Sequence, residues 1–368
     1  MIPVAEVILG EAEKRYVNEC LDTTWISSLG RFVTQFEEGF AAFCGSQYGI
    51  ATFNGTTALH LALAVLGIGE GDEVIVPSLT FVATANAVYY ARATPVFVDS
   101  ERQYWQMDPA AVEAVITPRT RAIIPVHLYG HPVDMDPILD LAERRGLWVI
   151  EDAAEAHGAR YKGRRVGSLG HFGSFSFYGN KIITTGEGGM LTTDDADYAA
   201  RAAWLRDHGM DKERRYWHPE IGFNYRMTNI QAALGCGQLE RIEQVLLAKR
   251  QLAAWYNERL GEIPGLSLPA EAPWAENVYW MYSIVVEDAF GPNRDELAAE
   301  LRAAGIDSRP FFYPIHVMPP YRTGQHLPVA EDLAVRGLNL PSSPALSEDQ
   351  VDYICQTISR LRLAPRRR

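Results

Sequence analysis

The sequence predicts an α/β protein, with a large domain on a mainly parallel central sheet, helices on both of its faces, and a smaller C-terminal α+β domain. Three observations carry this. Between Glu73 and Asp152, short apolar runs alternate with helical segments: EVIVPS, TFVATANAVYYA, PVFVD, DPAAVEAVI, RAIIPVHLYG, DMDPILDLAERRG and LWVIED. Repeated βαβ alternation implies parallel strands with crossover helices. A long helical stretch from about Thr228 to Leu260 then interrupts the pattern, and the domain boundary is placed inside it, giving 1–245 and 246–368. Beyond it, YWMYSIVV reads as a strand, Arg294 to Ala304 as a helix, and Glu348 to Leu361 as a final helix before the basic tail Arg366–Arg368, which is expected to be disordered.

Taken in order, Glu11 to Leu21 has helical polarity, and TTWISSLG ends it with Ser and Gly. In RFVTQFEEGFAAF, Phe32, Phe36, Phe40 and Phe43 recur at three- and four-residue spacing, so the segment reads as a helix that buries an aromatic stripe. YGIATF is a short strand running into Asn54-Gly55-Thr56-Thr57 and the helical ALHLALAVLG. A helix start of this kind either caps itself through Asn54 or Thr56, or offers free N–H groups and a positive dipole end to a phosphate. Gly67-Ile68-Gly69-Glu70-Gly71 follows a helix and precedes a strand, the reverse of a dinucleotide-binding fingerprint, and reads as a turn. Asp194 to Asp207 is a helix, followed by the polar loop HGMDKERRYWHPE and GFNYRM. Gly235 and Gly237 weaken the long helix after it and mark a bend or a close helix contact.

Composition narrows the function classes. The chain has 368 residues, 47% hydrophobic and 22% charged, enough for a large core and two packed lobes. A formal charge of -12 argues against general affinity for nucleic acid or an anionic membrane surface. Cys20, Cys44, Cys236 and Cys355 are scattered, without metal-ligand spacing, as expected of free thiols in a cytoplasmic protein. No metal site is expected. The start has no basic segment followed by an apolar one, and no apolar run is long enough to span a bilayer.

The chemistry concentrates between Val149 and Thr193. An apolar strand ends on Glu151-Asp152, and about thirty residues later Lys181 sits in Tyr178-Gly179-Asn180-Lys181, ahead of Gly186-Glu187-Gly188-Gly189. A strand-end carboxylate and a lysine on a Gly-flanked turn are what pyridoxal 5′-phosphate (PLP) requires. The amine forms a Schiff base with the cofactor aldehyde, and the carboxylate keeps the pyridine nitrogen protonated. In isolation, Asp152 also reads as a strand cap and Lys181 as a surface lysine. Thr56, Phe81, His127 and Asp152 all fall at or just past strand ends, where ligands of open α/β sheets bind. Phe81 reads equally as a core residue, and His127 and His131 read as turn residues.

EDAAEAHGA, SFSFYGNK, TTGEGGM and GFNYRMTN resemble the motifs of the DegT-like, fold-type I (aspartate aminotransferase-like) PLP-dependent nucleotide-sugar aminotransferases. The resemblance runs from TWISSLGRFV to RPFFYPIHVMPPY, nearly the whole chain. It implies that Lys181 binds the cofactor and moves the proton, that Asp152 pairs with the pyridine nitrogen, and that Phe81 stacks on the ring. Glu155 stands where many relatives carry Gln against the ring hydroxyl. Ser176, with Thr56 and Thr57, would hold the phosphate. Asn224 resembles a phosphate ligand given by a neighbouring subunit, which implies a homodimer with composite sites. Trp25 and Ser27 lie in the segment that approaches the sugar, and Tyr313 and His316 are further candidates for sugar contacts. Arg31 and Arg226 are candidates for the diphosphate, with surface ion pairing as their alternative.

The implied reaction takes nitrogen from L-glutamate to a nucleotide-linked keto-sugar. Within the family, the resemblance is to enzymes acting at C4 of GDP-4-keto-6-deoxymannose, with 4- or 3-amination of another UDP- or dTDP-linked keto-deoxysugar as the alternative. A sugar dehydratase on the same fold and a PLP-binding regulator without turnover are the other readings. A lysine at position 181 favours transamination over dehydration, and its pairing with Asp152 argues against a silent protein.

Overall fold

The computed structural model describes residues 1–363, so the Arg366–Arg368 tail lies outside the described residues. Seven strands form the central sheet: β1 (Tyr48–Thr52), β2 (Glu73–Pro77), β3 (Thr94–Val98), β4 (Thr120–Ile123), β5 (Trp148–Asp152), β6 (Phe172–Ser176) and β7 (Gly189–Thr193). Their spatial order is β1-β7-β6-β5-β4-β2-β3. Strands β2 to β6 pair in parallel, whereas β7 runs antiparallel to both β6 and β1. The antiparallel strand follows from the Lys181 turn, which returns the chain directly beside β6 instead of through a crossover helix.

Helices α1 (Glu11–Asp22) and α2 (Arg31–Cys44) precede the sheet, and α3 (Gly55–Val65) and α4 (Ala83–Tyr90) leave the carboxyl ends of β1 and β2. The aromatic stripe of α2 does what its spacing predicts. Phe32, Phe36 and Phe40 are fully buried, and Phe40 meets Phe175 and Phe177 with ring centroids 4.8 and 5.0 Å apart. Each such burial is worth about 1.5–3 kcal/mol. Phe43 is half-buried, under the Arg165 guanidinium at 3.8 Å. The stripe thus forms the floor beneath the turn that carries Lys181.

The helical stretch expected from Thr228 to Leu260 is two helices, α8 (Asn229–Leu239) and α9 (Ile242–Leu260), with α5 (Pro109–Ala114), α6 (Met135–Arg145) and α7 (Ala196–Arg206) before them. The break comes at Glu240–Arg241, where Arg241 leaves helical geometry and its guanidinium bonds the Ile8 carbonyl oxygen. Gly235 and Gly237 lie inside α8 and serve close contact: a Cβ at Gly235 would sit 2.6 Å from the Phe36 ring, and one at Gly237 2.8 Å from the Glu13 backbone. Helix α9 runs unbroken through residue 245.

The C-terminal region builds a four-stranded antiparallel sheet in the order Leu266–Ser267, Tyr282–Val286, Gly337–Leu340, Arg309–Pro310. Its core includes Tyr256 of α9 stacked on Tyr282, with centroids 4.4 Å apart. The first residues of the chain are fastened here too, since Ile2 N–H bonds the Gly305 carbonyl and Ser342 N–H bonds that of Val4. Among the described residues, no helix is long and apolar enough to cross a membrane.

Candidate active site

The carboxyl ends of β1, β2, β4, β5 and β6 open on a cavity of about 370 Å³. Thr56, Phe81, Asp152, Glu155, Ser176 and Lys181 all line it, so six of the residues singled out in the sequence converge. The strand period separates the acidic pair at the end of β5. Glu151 is fully buried and accepts hydrogen bonds from the N–H groups of Gly167, Leu169 and Gly170 at 2.7–2.8 Å. Since Val133 N–H donates to His127 Nδ1 (3.0 Å), the other nitrogen, Nε2, donates to Glu151 at 3.1 Å. His127 is therefore structural, as is His131, which bridges Pro132 O and Ala272 N–H.

Asp152 faces the cavity. Its carboxylate accepts from Thr84 Oγ1 (2.7 Å) and Ala154 N–H (3.2 Å), both neutral donors. Burial raises its pKa, and these bonds, Lys181 and His127 only partly oppose that. Glu155 accepts from Tyr129 N–H at 2.8 Å and lies 3.7 Å from Lys181 Nζ. Burial pushes its pKa up to about 7 against the pull of Lys181. Burial also lowers the pKa of Lys181, opposed by Glu155 and Asp152. Burial thus shifts the lysine and both carboxyl groups in the direction of their neutral forms.

Helix α3 starts on the cavity. Asn54 caps it by accepting from Thr57 N–H (2.9 Å), and Thr57 Oγ1 bonds the Asn54 carbonyl (2.7 Å). Capping thus occupies the Thr57 hydroxyl, and Thr56 is the one of the pair that lines the cavity. A Cβ at Gly55 would come within 2.8 Å of Ser176 Cβ, so only glycine lets this helix end approach Ser176 so closely. N-capping and phosphate binding are compatible here, since the cap leaves the Thr56 hydroxyl to the cavity.

Other candidates lie outside the cavity of their own chain. Trp25 is 57% exposed and Ser27 is exposed. Asn224 is also exposed, its Oδ1 accepting from Arg226, which pairs in turn with Asp207 at 2.7 Å. Arg31 makes a surface ion pair with Glu19. Tyr313 is 65% exposed, whereas its neighbour Phe312 lines the cavity with its ring 5.8 Å from that of Phe81. His316 is buried away from the cavity, with Nδ1 2.6 Å from Ser78 Oγ and Nε2 3.1 Å from Glu331.

Sequence reasoning missed Thr84 and Trp280, and within the aromatic FFYP turn it singled out Tyr313 rather than Phe312. Thr84 lies one helical turn past Phe81, and Phe312 precedes Tyr313, so both were within reach of the same motifs. Trp280 lies about a hundred residues from Lys181, yet its ring centroid is 3.8 Å from Lys181 Nζ. No local pattern announces that contact.

Residues 7–359 match the family model described as the DegT/DnrJ/EryC1/StrS aminotransferase family. The chain belongs to this family. It is 52% identical over 363 residues to the GDP-perosamine synthase of Caulobacter vibrioides, covering 98% of each chain. It is 50% identical over 359 residues to that of Escherichia coli O157:H7, covering 97% of this chain and 98% of the other. Among solved structures, S. venezuelae DesV superposes with a TM-score of 0.91 at 39% identity, over 96% of this chain and 95% of that one.

DegT/DnrJ/EryC1/StrS aminotransferases use PLP, and the residues of this cavity fit it. A buried carboxylate whose donors, among the described residues, are both neutral suits a protonated pyridine nitrogen. The glycine-start helix against Ser176 suits a phosphate, and exposed Phe81 offers a face for a planar ring. Among the described residues, no group of His, Cys, Asp and Glu is arranged to hold a metal ion.

Proposed function

We propose that this protein transfers the amino group of L-glutamate to C4 of GDP-4-keto-6-deoxy-D-mannose, giving GDP-perosamine and 2-oxoglutarate, as a cytoplasmic homodimer. The observation that carries the reading is the convergence of Lys181, Asp152 and the α3 helix start on one cavity, in a chain whose full-length relatives include GDP-perosamine synthases. Bound PLP supplies an electron sink for charge developing at the substrate carbon. Lys181 anchors it and moves the proton at that carbon, a role its burial-lowered pKa suits. Asp152 keeps the ring nitrogen protonated, Thr56 and Ser176 hold the phosphate, and Glu155 faces the ring hydroxyl. Phe81, Phe312 and Trp280 give the cavity the apolar wall that a 6-deoxy sugar calls for.

A site shaped for one base rejects another because its polar groups go unpaired. The expected kcat/KM for the GDP-linked 4-keto sugar exceeds that for a UDP-linked 4-keto-6-deoxyhexose by at least roughly a hundredfold. Steady-state kinetics with both substrates check this, and comparable efficiencies would remove the GDP assignment while leaving the PLP chemistry in place.

The homodimer is supported by Asn224, which is exposed and absent from its own chain's cavity although oriented by Arg226. Exposed Phe53, Tyr216, Trp217 and Ile221 add apolar surface for a second copy to cover. If Asn224 serves the neighbouring subunit, mixing inactive Lys181→Ala with an inactive Asn224→Ala variant restores activity, since a heterodimer then holds one intact site. Subunit exchange verified by mass spectrometry with no recovered turnover would place Asn224 in its own chain's chemistry or in folding.

A further inference from the structure

A second buried lysine lies close to the site and has no role in the chemistry above. Lys249, on α9, is 4% exposed and donates from Nζ to two backbone oxygens, Trp280 O at 2.7 Å and Ser342 O at 2.6 Å. No carboxylate pairs with it among the described residues, and burial lowers its pKa to about 7. Enclosing an amine without a counter-charge is costly, and an apolar side chain would serve packing better. Its position points to another use.

Trp280 and Ser342 flank the paired strands Tyr282–Val286 and Gly337–Leu340, just outside the ladder that joins Tyr282 to Leu340. Ser342 Oγ accepts from Tyr282 N–H at 2.7 Å. Trp280 therefore leaves a strained turn rather than a paired strand: Tyr279 before it has φ +48°, a region that side chains other than glycine avoid. The indole Nε1–H donates to Asn180 O at 2.7 Å, and the ring lies over Lys181 Nζ. Lys249 and Lys181 both border a small cavity of about 30 Å³, with Trp280 between the two sites as a lining residue of each.

We propose that Lys249 is a positioning residue for the reaction: from outside the catalytic cavity, it holds the Trp280 backbone so that the indole lies over the Lys181 amine. This rests on Lys181 being the residue that carries the cofactor. A π face stabilises a cationic nitrogen by about 0.5–1 kcal/mol, so releasing the ring makes the lysine-bound nitrogen easier to deprotonate. The charged and titratable groups facing Lys181 are Asp152, Glu155 and His157. Those bordering the small cavity with Lys249 are Glu6 and Arg241. None of them is altered in the test.

The experiment is a pH titration of the visible absorbance of the holoenzyme for the wild type, Lys249→Met, Trp280→Leu and the double variant. Both single variants are expected to lower the titration midpoint by about half a pH unit, and the double variant by no more than the larger single effect, because one acts through the other. A wild-type midpoint in Lys249→Met, or additive shifts, overturns the proposal. If Lys249→Met does not accumulate as soluble protein, Lys249→Gln, too short to reach both oxygens, replaces it under the same criteria. Failure of both to fold assigns Lys249 to folding and counts against the proposal. Lys181→Ala is the control: if the visible band survives dialysis in it, the Lys181 assignment fails, and the result says so separately.

Discussion

Lys181→Ala loses the visible absorbance of the lysine-bound cofactor and at least roughly a thousandfold in turnover, since it removes both the attachment point and the proton-transfer group. The fold is expected to survive. Among the described residues, the one ion pair of Lys181 Nζ is with Glu155, at 3.7 Å. That carboxyl already has its pKa raised to about 7 by burial, so without the amine it takes up a proton rather than remaining as an unpaired buried charge. PLP still binds, through Thr56, Ser176 and Asp152, but dialysis removes it because no covalent bond remains. Absorbance spectra before and after dialysis, alongside steady-state rates, check this. Wild-type turnover in the variant would sink the assignment.

Asp152→Asn is expected to lower kcat by roughly a hundred- to a thousandfold, the usual effect of removing one preorganised charge from the centre where charge develops. The cofactor stays attached to Lys181, so the visible band remains. Thermal stability separates this from a structural role. Burial raises the folded-state pKa of Asp152, and a raised pKa means that its contribution to stability is present at low pH and lost as the pH rises through that value. Above that value the ionised carboxylate therefore costs stability in the cofactor-free protein, and asparagine relieves that cost while still accepting from Thr84. Cofactor-free Asp152→Asn is expected to melt at or above the wild type by calorimetry. A clearly lower Tm with kcat intact would make Asp152 a strand cap.

Legibility in the sequence followed the range of the forces involved. Periodicity revealed the βαβ run and the α2 stripe because local burial sets both. Thr56 and Asp152 stand at strand ends where ligands of open α/β sheets bind, Lys181 on a Gly-flanked turn, and Ser176 was indicated by the family resemblance. The break between α8 and α9 was not legible, because it arises where Arg241 reaches back more than two hundred residues to the Ile8 carbonyl. The same limit hid Trp280, brought to Lys181 by strand pairing in the C-terminal sheet. His316 and Phe312 show a finer limit. In FFYPIH the motif was visible, but which side chain faces the cavity depends on backbone direction through Pro314, and Phe312, not His316, lines it. Thr57 was read as a phosphate ligand alongside Thr56, but the cap engages its hydroxyl with Asn54.

The most direct measurement is product analysis: purified holoprotein incubated with GDP-4-keto-6-deoxymannose and L-glutamate labelled at nitrogen, read by mass spectrometry and NMR. The expected result is the label on C4 of the GDP-linked sugar, with 2-oxoglutarate formed in equal amount. Label at C3, a dehydrated sugar without nitrogen, or unchanged ketone in a preparation that carries bound PLP would contradict it.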